Sequence, residues 1–99
     1  MFPVVRSIMN VADARTEMSE VVAALHAKLA SVTDPNTRDQ LVRAAQDQVA
    51  QIRKRYKRKI DEKASGWFSI HQISGLERKL AEITERAKEA IESASHQHC

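Results

Sequence analysis

Two prolines and two glycines punctuate the ninety-nine residues, and where they fall limits the chain to a few long helices. A β protein of this size needs a turn every ~8–12 residues, and turns draw on Gly and Pro. Here Pro3, Pro35, Gly66 and Gly75 leave long uninterrupted stretches between them. Those stretches are rich in Ala, Glu, Lys, Arg and Leu, the stronger helix formers.

The apolar spacing agrees. From about residue 4 to residue 32, Val4, Ile8, Val11, Met18, Val22, Leu25, Leu29 and Val32 recur at steps of three and four. That is a heptad stripe on one helix face, with Arg15 standing at the single gap. A cation at a seam needs a buried partner or must reach solvent, and the long arginine stem favours the second. Pro3 suits a first helical position, and Asn10 is an alternative N-cap. Met9 and Met18 read as core filler.

The segment Thr33-Asp34-Pro35-Asn36-Thr37 interrupts the pattern. Asp34 as N-cap and Pro35 at the first helical position start a second helix over about 35–64. Its stripe is Leu41, Val42, Ala45, Val49, Ile52, Tyr56 and Ile60, and Ser65-Gly66 ends it. A third helix, about 70–95, has two candidate starts, a capping box at Ser69 or one at Ser74. Its stripe is Ile73, Leu76, Leu80, Ile83, Ala87, Ala90 (with Ile91 beside it) and Ala94, followed by a frayed polar tail over 96–99.

The expected fold is therefore all-α and a single domain. It is either an elongated antiparallel three-helix bundle or a long helical hairpin with coiled-coil-like packing whose third helix dimerises. The first two helices would each be about 45 Å long. Alanine fills fourteen apolar positions and only four residues are aromatic. The core is accordingly thin, of the kind that a partner or self-association often completes.

Charge is distributed unevenly. Residues 33–65 carry nine cations and five anions, whereas the segments on either side are nearly balanced. Six of those cations lie in the seven residues Arg53, Lys54, Arg55, Tyr56, Lys57, Arg58 and Lys59, and no acidic residue falls between Asp47 and Asp61. With Tyr56 on the apolar stripe, Lys54 and Arg58 point to the opposite pole, Arg55 and Lys57 take the flanks, and Arg53 and Lys59 border the seam. Such crowding is repulsive, and a polyanion or an acidic protein surface would relieve it. The alternative is a solvated face matched to the helix dipole and paired with Asp61, Glu62 or acids on the other helices. The helices are too long for a compact helix-turn-helix unit, and zinc-finger spacing is absent. A bZIP basic region would continue into its zipper on one helix, but here the chain breaks at Gly66.

Trp67 and Phe68 lie in the connection between the second and third helices. Two adjacent aromatics there either fold over the bundle end as a plug or leave one exposed as an anchor for a partner. His26, His71, His96 and His98 lack the spacings of zinc proteases or structural zinc sites. The tail His96-Gln97-His98-Cys99 would chelate a metal only weakly, so no metal site is assigned. No nucleophile motif or glycine-rich phosphate cradle is present, and no cofactor or catalytic residue is assigned. Apolar runs are too short to span a membrane, and the N-terminal residues lack signal-peptide character, which predicts a cytoplasmic address.

The sequence thus leads to a non-enzymatic helical protein-interaction module. It would act as adaptor, regulator or inhibitor and dock on a larger acidic partner, with a homodimer as one form it can take. The alternative is a DNA- or RNA-binding protein that grips phosphates through the basic face of the second helix.

Overall fold

The computed structural model describes residues 11–64 and 70–97, and every described element is an α-helix. These are α1 (Ala12–Ser31), α2 (Pro35–Ala64) and α3 (Ile70–Gln97). Each helix packs against both others, giving the three-helix bundle expected from the sequence. The radius of gyration is 16.1 Å and the extents are 51 × 30 × 16 Å. A compact chain of this length would have a radius near ~13 Å, so the bundle is elongated.

The core is one column of side chains. Val11, Ala14, Met18, Leu25 and Leu29 come from α1 and the residue preceding it. Ala45, Val49, Ile52, Tyr56 and Ile60 come from α2, and Leu80, Ile83, Ala87, Ile91 and Ala94 from α3. Leu41, Val42, Ile73 and Leu76 pack at its margins. The three heptad stripes therefore meet as periodicity requires, with three local corrections.

The α1 seam passes through Ala14, which is 0% exposed, and Arg15 is exposed. Stepping 11, 14, 18 preserves the three-four alternation as well as stepping 11, 15, 18, and it keeps the cation in water. On α3, Ile91 is fully buried and Ala90 only half so, because the larger side chain gains more from the core. Thr84 is buried at 3% exposure, a position the apolar stripe omits. Its hydroxyl donates to the Leu80 carbonyl oxygen one turn earlier at 2.8 Å, so it enters the core without an unsatisfied donor.

The α1–α2 turn is fixed by two capping groups. Asp34 accepts hydrogen bonds at Oδ2 from the Thr37 backbone N–H at 3.0 Å and from the Thr37 hydroxyl at 2.8 Å. These bonds, the hydroxyl's foremost, hold the Asp34 carboxyl below its usual range. Arg38, one turn into α2, reaches back to the open end of α1. Its Nη1 donates to the carbonyl oxygens of Leu29 at 3.1 Å and Val32 at 3.0 Å. Those are carbonyls that a helix C-terminus leaves without intrahelical partners.

Of the two proposed starts for the third helix, α3 uses the earlier. It begins at Ile70, so Ser74 and Gly75 lie within the helix. It runs to Gln97, so His96 and Gln97 are helical where a frayed tail was expected. The expected first helix began at about residue 4, and its first turns, like Trp67, Phe68, His98 and Cys99, lie outside the described residues.

Two stability measurements follow from these contacts. Arg38→Met removes both charged donors from the α1 terminus and lowers unfolding free energy by about 1.5 kcal/mol. It should read as a lower urea midpoint at unchanged slope. Gly75→Ala acts in the other direction. A Cβ at position 75 meets nothing within 4 Å, so the helix-propensity gain of about 1 kcal/mol is realised and the midpoint rises.

Candidate interaction surfaces

The register that buries Tyr56 also decides which cations of the basic run remain available. Tyr56 is 5% exposed, and its hydroxyl donates to Glu17 Oε2 on α1 at 2.6 Å. The neighbouring Arg55 donates from Nη2 to Glu17 Oε1 at 2.7 Å. Glu17 thereby holds two consecutive α2 residues with its two oxygens. Lys59 stands over the Tyr56 ring, its ammonium 5.2 Å from the centroid, and the Arg55 guanidinium lies 5.8 Å from it. Both distances fall within cation–π range.

Lys57 turns the other way. Its ammonium lies 3.2 Å from Asp61 Oδ1 on the same helix and 3.2 Å from Glu77 Oε2 on α3. The hydrogen bond to Asp61, then that to Glu77, raises the Lys57 pKa. The expectation that acids on the first and third helices take up part of the run thus holds for Arg55 and Lys57. Both side chains remain half-exposed, so solvent screening keeps the contribution of each pair to stability small. The larger consequence is that two of the six cations already have a carboxylate.

Arg53, Lys54 and Arg58 are exposed, and among the described residues they pair with no carboxylate. At ~100° per residue, they occupy a strip about 140° wide on the outer face of α2. The six residues singled out in the sequence therefore divide into three functions. Arg55 and Lys57 bridge helices, Lys59 covers the tyrosine ring, and Arg53, Lys54 and Arg58 face solvent. The proposed aromatic anchor, Trp67 and Phe68, lies outside the described residues.

Two grooves run along α1, and sequence periodicity marked neither. The α1–α2 groove, about 690 Å³, has Glu17 and Glu20 on one wall and Asp47, Gln48 and Gln51 on the other. The α1–α3 groove, about 440 Å³, has Met18, Ile83 and Ala87 at its base and arginines at its edges. The helical offset of Glu17 and Glu20 from Arg15 and Ser19 was the available signal. It gives α1 an acidic flank and a basic flank on either side of its seam.

Among the described residues, no three His, Cys, Asp or Glu side chains converge as a metal site. No described helix is long and apolar enough to cross a membrane. No protein-family model, curated protein or solved structure matches this chain.

The Tyr56–Glu17 contact has a pH signature. Burial, then the hydrogen bond to Glu17 and its charge, push the Tyr56 hydroxyl from 10.0 up to about 12. The raised value belongs to the folded state, so the corresponding stabilisation is complete below pH 10 and is lost as pH rises toward about 12. Glu17 is shifted the opposite way, chiefly by the Tyr56 hydrogen bond. Its contribution is present above its ordinary value of 4.5 and fades as pH falls through the lower folded value. Tyr56 is the only tyrosine, so tyrosinate ultraviolet absorbance titrates it alone. Glu17→Gln should bring that titration back toward 10.

Proposed function

We propose that this chain is a non-enzymatic helical interaction module that docks on an acidic protein partner as an adaptor, regulator or inhibitor. The observation that carries this reading is the division of the basic run. Three cations, Arg53, Lys54 and Arg58, are left on one exposed strip of a long helix, and the others contact Glu17, Glu77 or the Tyr56 ring. Three outward charges match a patch of carboxylates on a folded surface, where they would steer encounter and set orientation. Proteins that grip duplex DNA through phosphates engage more, on the order of six to ten contacts, and owe their affinity to the counterions released.

The second reading, DNA or RNA binding through this face, rests on the same cations and differs in its salt dependence. Three phosphate contacts made by Arg53, Lys54 and Arg58 would give a slope of log affinity against log salt for duplex DNA of about −3.

The test pairs two assays on the purified chain. The first titrates mixed-sequence duplex DNA and single-stranded RNA from low to physiological salt. The second places a photo-crosslinking residue at Gln51, two residues from Arg53, and applies it in an extract of the cells that make the protein. Both use Arg53→Gln/Lys54→Gln/Arg58→Gln as control, since changing Arg55 or Lys57 would also break contacts between helices. The expected outcome is weak, shallow nucleic-acid binding together with a protein crosslink that the triple variant loses. Nucleic-acid binding that survives physiological salt, has a slope steeper than about −5 and disappears in the triple variant would replace this reading with the second.

A further inference from the structure

Among the described residues, the α1–α3 groove has the form of an open helix seat. Sequential helices joined by short connections alternate in direction, so α1 and α3 run parallel and the trough between them is continuous. Its base is buried and apolar, formed by Met18, Ile83 and Ala87, with Val22 half-buried on the wall. Small residues stand at the mouth, Ser19 and Ala23 on α1 and Ala90 on α3. Such residues allow a third backbone to approach within the ~8–10 Å of close helix packing. From Arg15 to His26 the trough is about 16 Å long, the length of three helical turns.

Charge indicates which helix fits. Arg15 and His26 lie on the α1 side and Arg86 on the α3 side, and among the described residues no carboxylate lines the groove. Among the described residues, neither arginine forms an ion pair. The α1–α2 groove is lined instead by Glu17, Glu20 and Asp47, with its one arginine, Arg55, already held by Glu17. An apolar trough flanked by arginines on both sides selects a helix with an apolar ridge and carboxylates on either side of it. A helix flanked by lysines would bring like charges together.

We propose that the α1–α3 groove binds an acidic amphipathic helix of a partner protein, seated between α1 and α3 so that it completes a four-helix bundle. The proposal rests on the interaction-module reading and names the partner's recognition element and the surface that receives it. Apolar residues one turn apart on the incoming helix meet Met18, Val22, Ile83 and Ala87, and its flanking carboxylates reach Arg15 and Arg86.

The experiment uses the full chain and two fluorescent synthetic peptides. One carries leucines at i, i+3, i+7 and i+10 with glutamates on both flanks, and the other has lysine in place of each glutamate. Fluorescence anisotropy should show saturable binding of the glutamate peptide, at least about tenfold tighter than the lysine peptide. Arg15→Glu/Arg86→Glu should invert the preference. Ala23→Trp, an exposed position whose new side chain fills the groove, should abolish binding while helical circular dichroism is unchanged. The triple variant Arg53→Gln/Lys54→Gln/Arg58→Gln should leave the affinity within about twofold, because its charges lie on α2.

Equal affinity for both peptides, or full binding by Ala23→Trp, would overturn the proposal. Loss of glutamate-peptide binding in the α2 triple variant alone would overturn it too, while leaving an acidic-partner module that docks through α2. Concentration-dependent self-association that Ala23→Trp removes would assign the groove to a second copy of this chain and overturn a partner helix. Failure of both peptides to bind would end the groove proposal only, since the Gln51 crosslink reports on the α2 strip independently.

Discussion

Met18, Leu29, Val49, Ile60, Leu80 and Ile91 are the largest side chains sealed completely from water, and they come in pairs from the three helices. In proteins most helical stability comes from tertiary packing of an amphipathic face rather than from intrinsic propensity. Burying a residue of this kind contributes about 1.5–3 kcal/mol, so the bundle depends on bringing these pairs into one column. The other features of the molecule follow from that alignment: which polar groups face each other, which cations are taken up, and where the surface is left hollow.

The column is narrow because much of its remaining lining is alanine. Ala14, Ala45, Ala87 and Ala94 are all core residues. Each permits close approach and fills little volume, so the core is well sealed along its axis and shallow toward its edges. α1, at twenty residues, is the shortest described helix. It lies between two troughs, one with Val21 and Ile52 among its lining and carboxylates on its walls, the other apolar and edged with arginine. Ala87 belongs to both the thin core and the base of the open apolar trough.

Electrostatics then follows packing. Once Tyr56 is drawn into the core, its hydroxyl meets Glu17, and Arg55 joins the same carboxylate because it is the next residue on that side of α2. Lys57, displaced by ~100° per residue from Tyr56, faces α3 and finds Glu77. The basic run is thus divided by which α2 positions meet a carboxylate on a neighbouring helix: Arg55 and Lys57 on the flanks bridge to α1 and α3, while Lys54 and Arg58 at the outer pole and Arg53 beside the seam stay in water. None of these pairs is deeply buried, so they refine the register that apolar burial establishes.

The helical class, the break at Asp34-Pro35 and most of the core were legible in the sequence, because these depend on local spacing and on turn chemistry within a few residues. The sequence also marked the basic run as the most unusual stretch of charge. It could not choose between Ala14 and Arg15 at the α1 seam, since both satisfy the three-four rhythm, and burial of neighbouring turns against α2 and α3 decided it. Thr84 was illegible for a similar reason: its hydroxyl is satisfied by its own helix, so a polar residue occupies an apolar site at little cost. Asp61, four residues from Lys57, was legible as a partner, but Glu17 and Glu77, which tie Arg55 and Lys57 to other helices and leave Arg53, Lys54 and Arg58 free, were not, because they are distant in sequence. The α1–α3 groove, too, exists only between residues 15–26 and 83–90, stretches that the sequence separates by more than fifty residues. No periodicity within either helix encodes it.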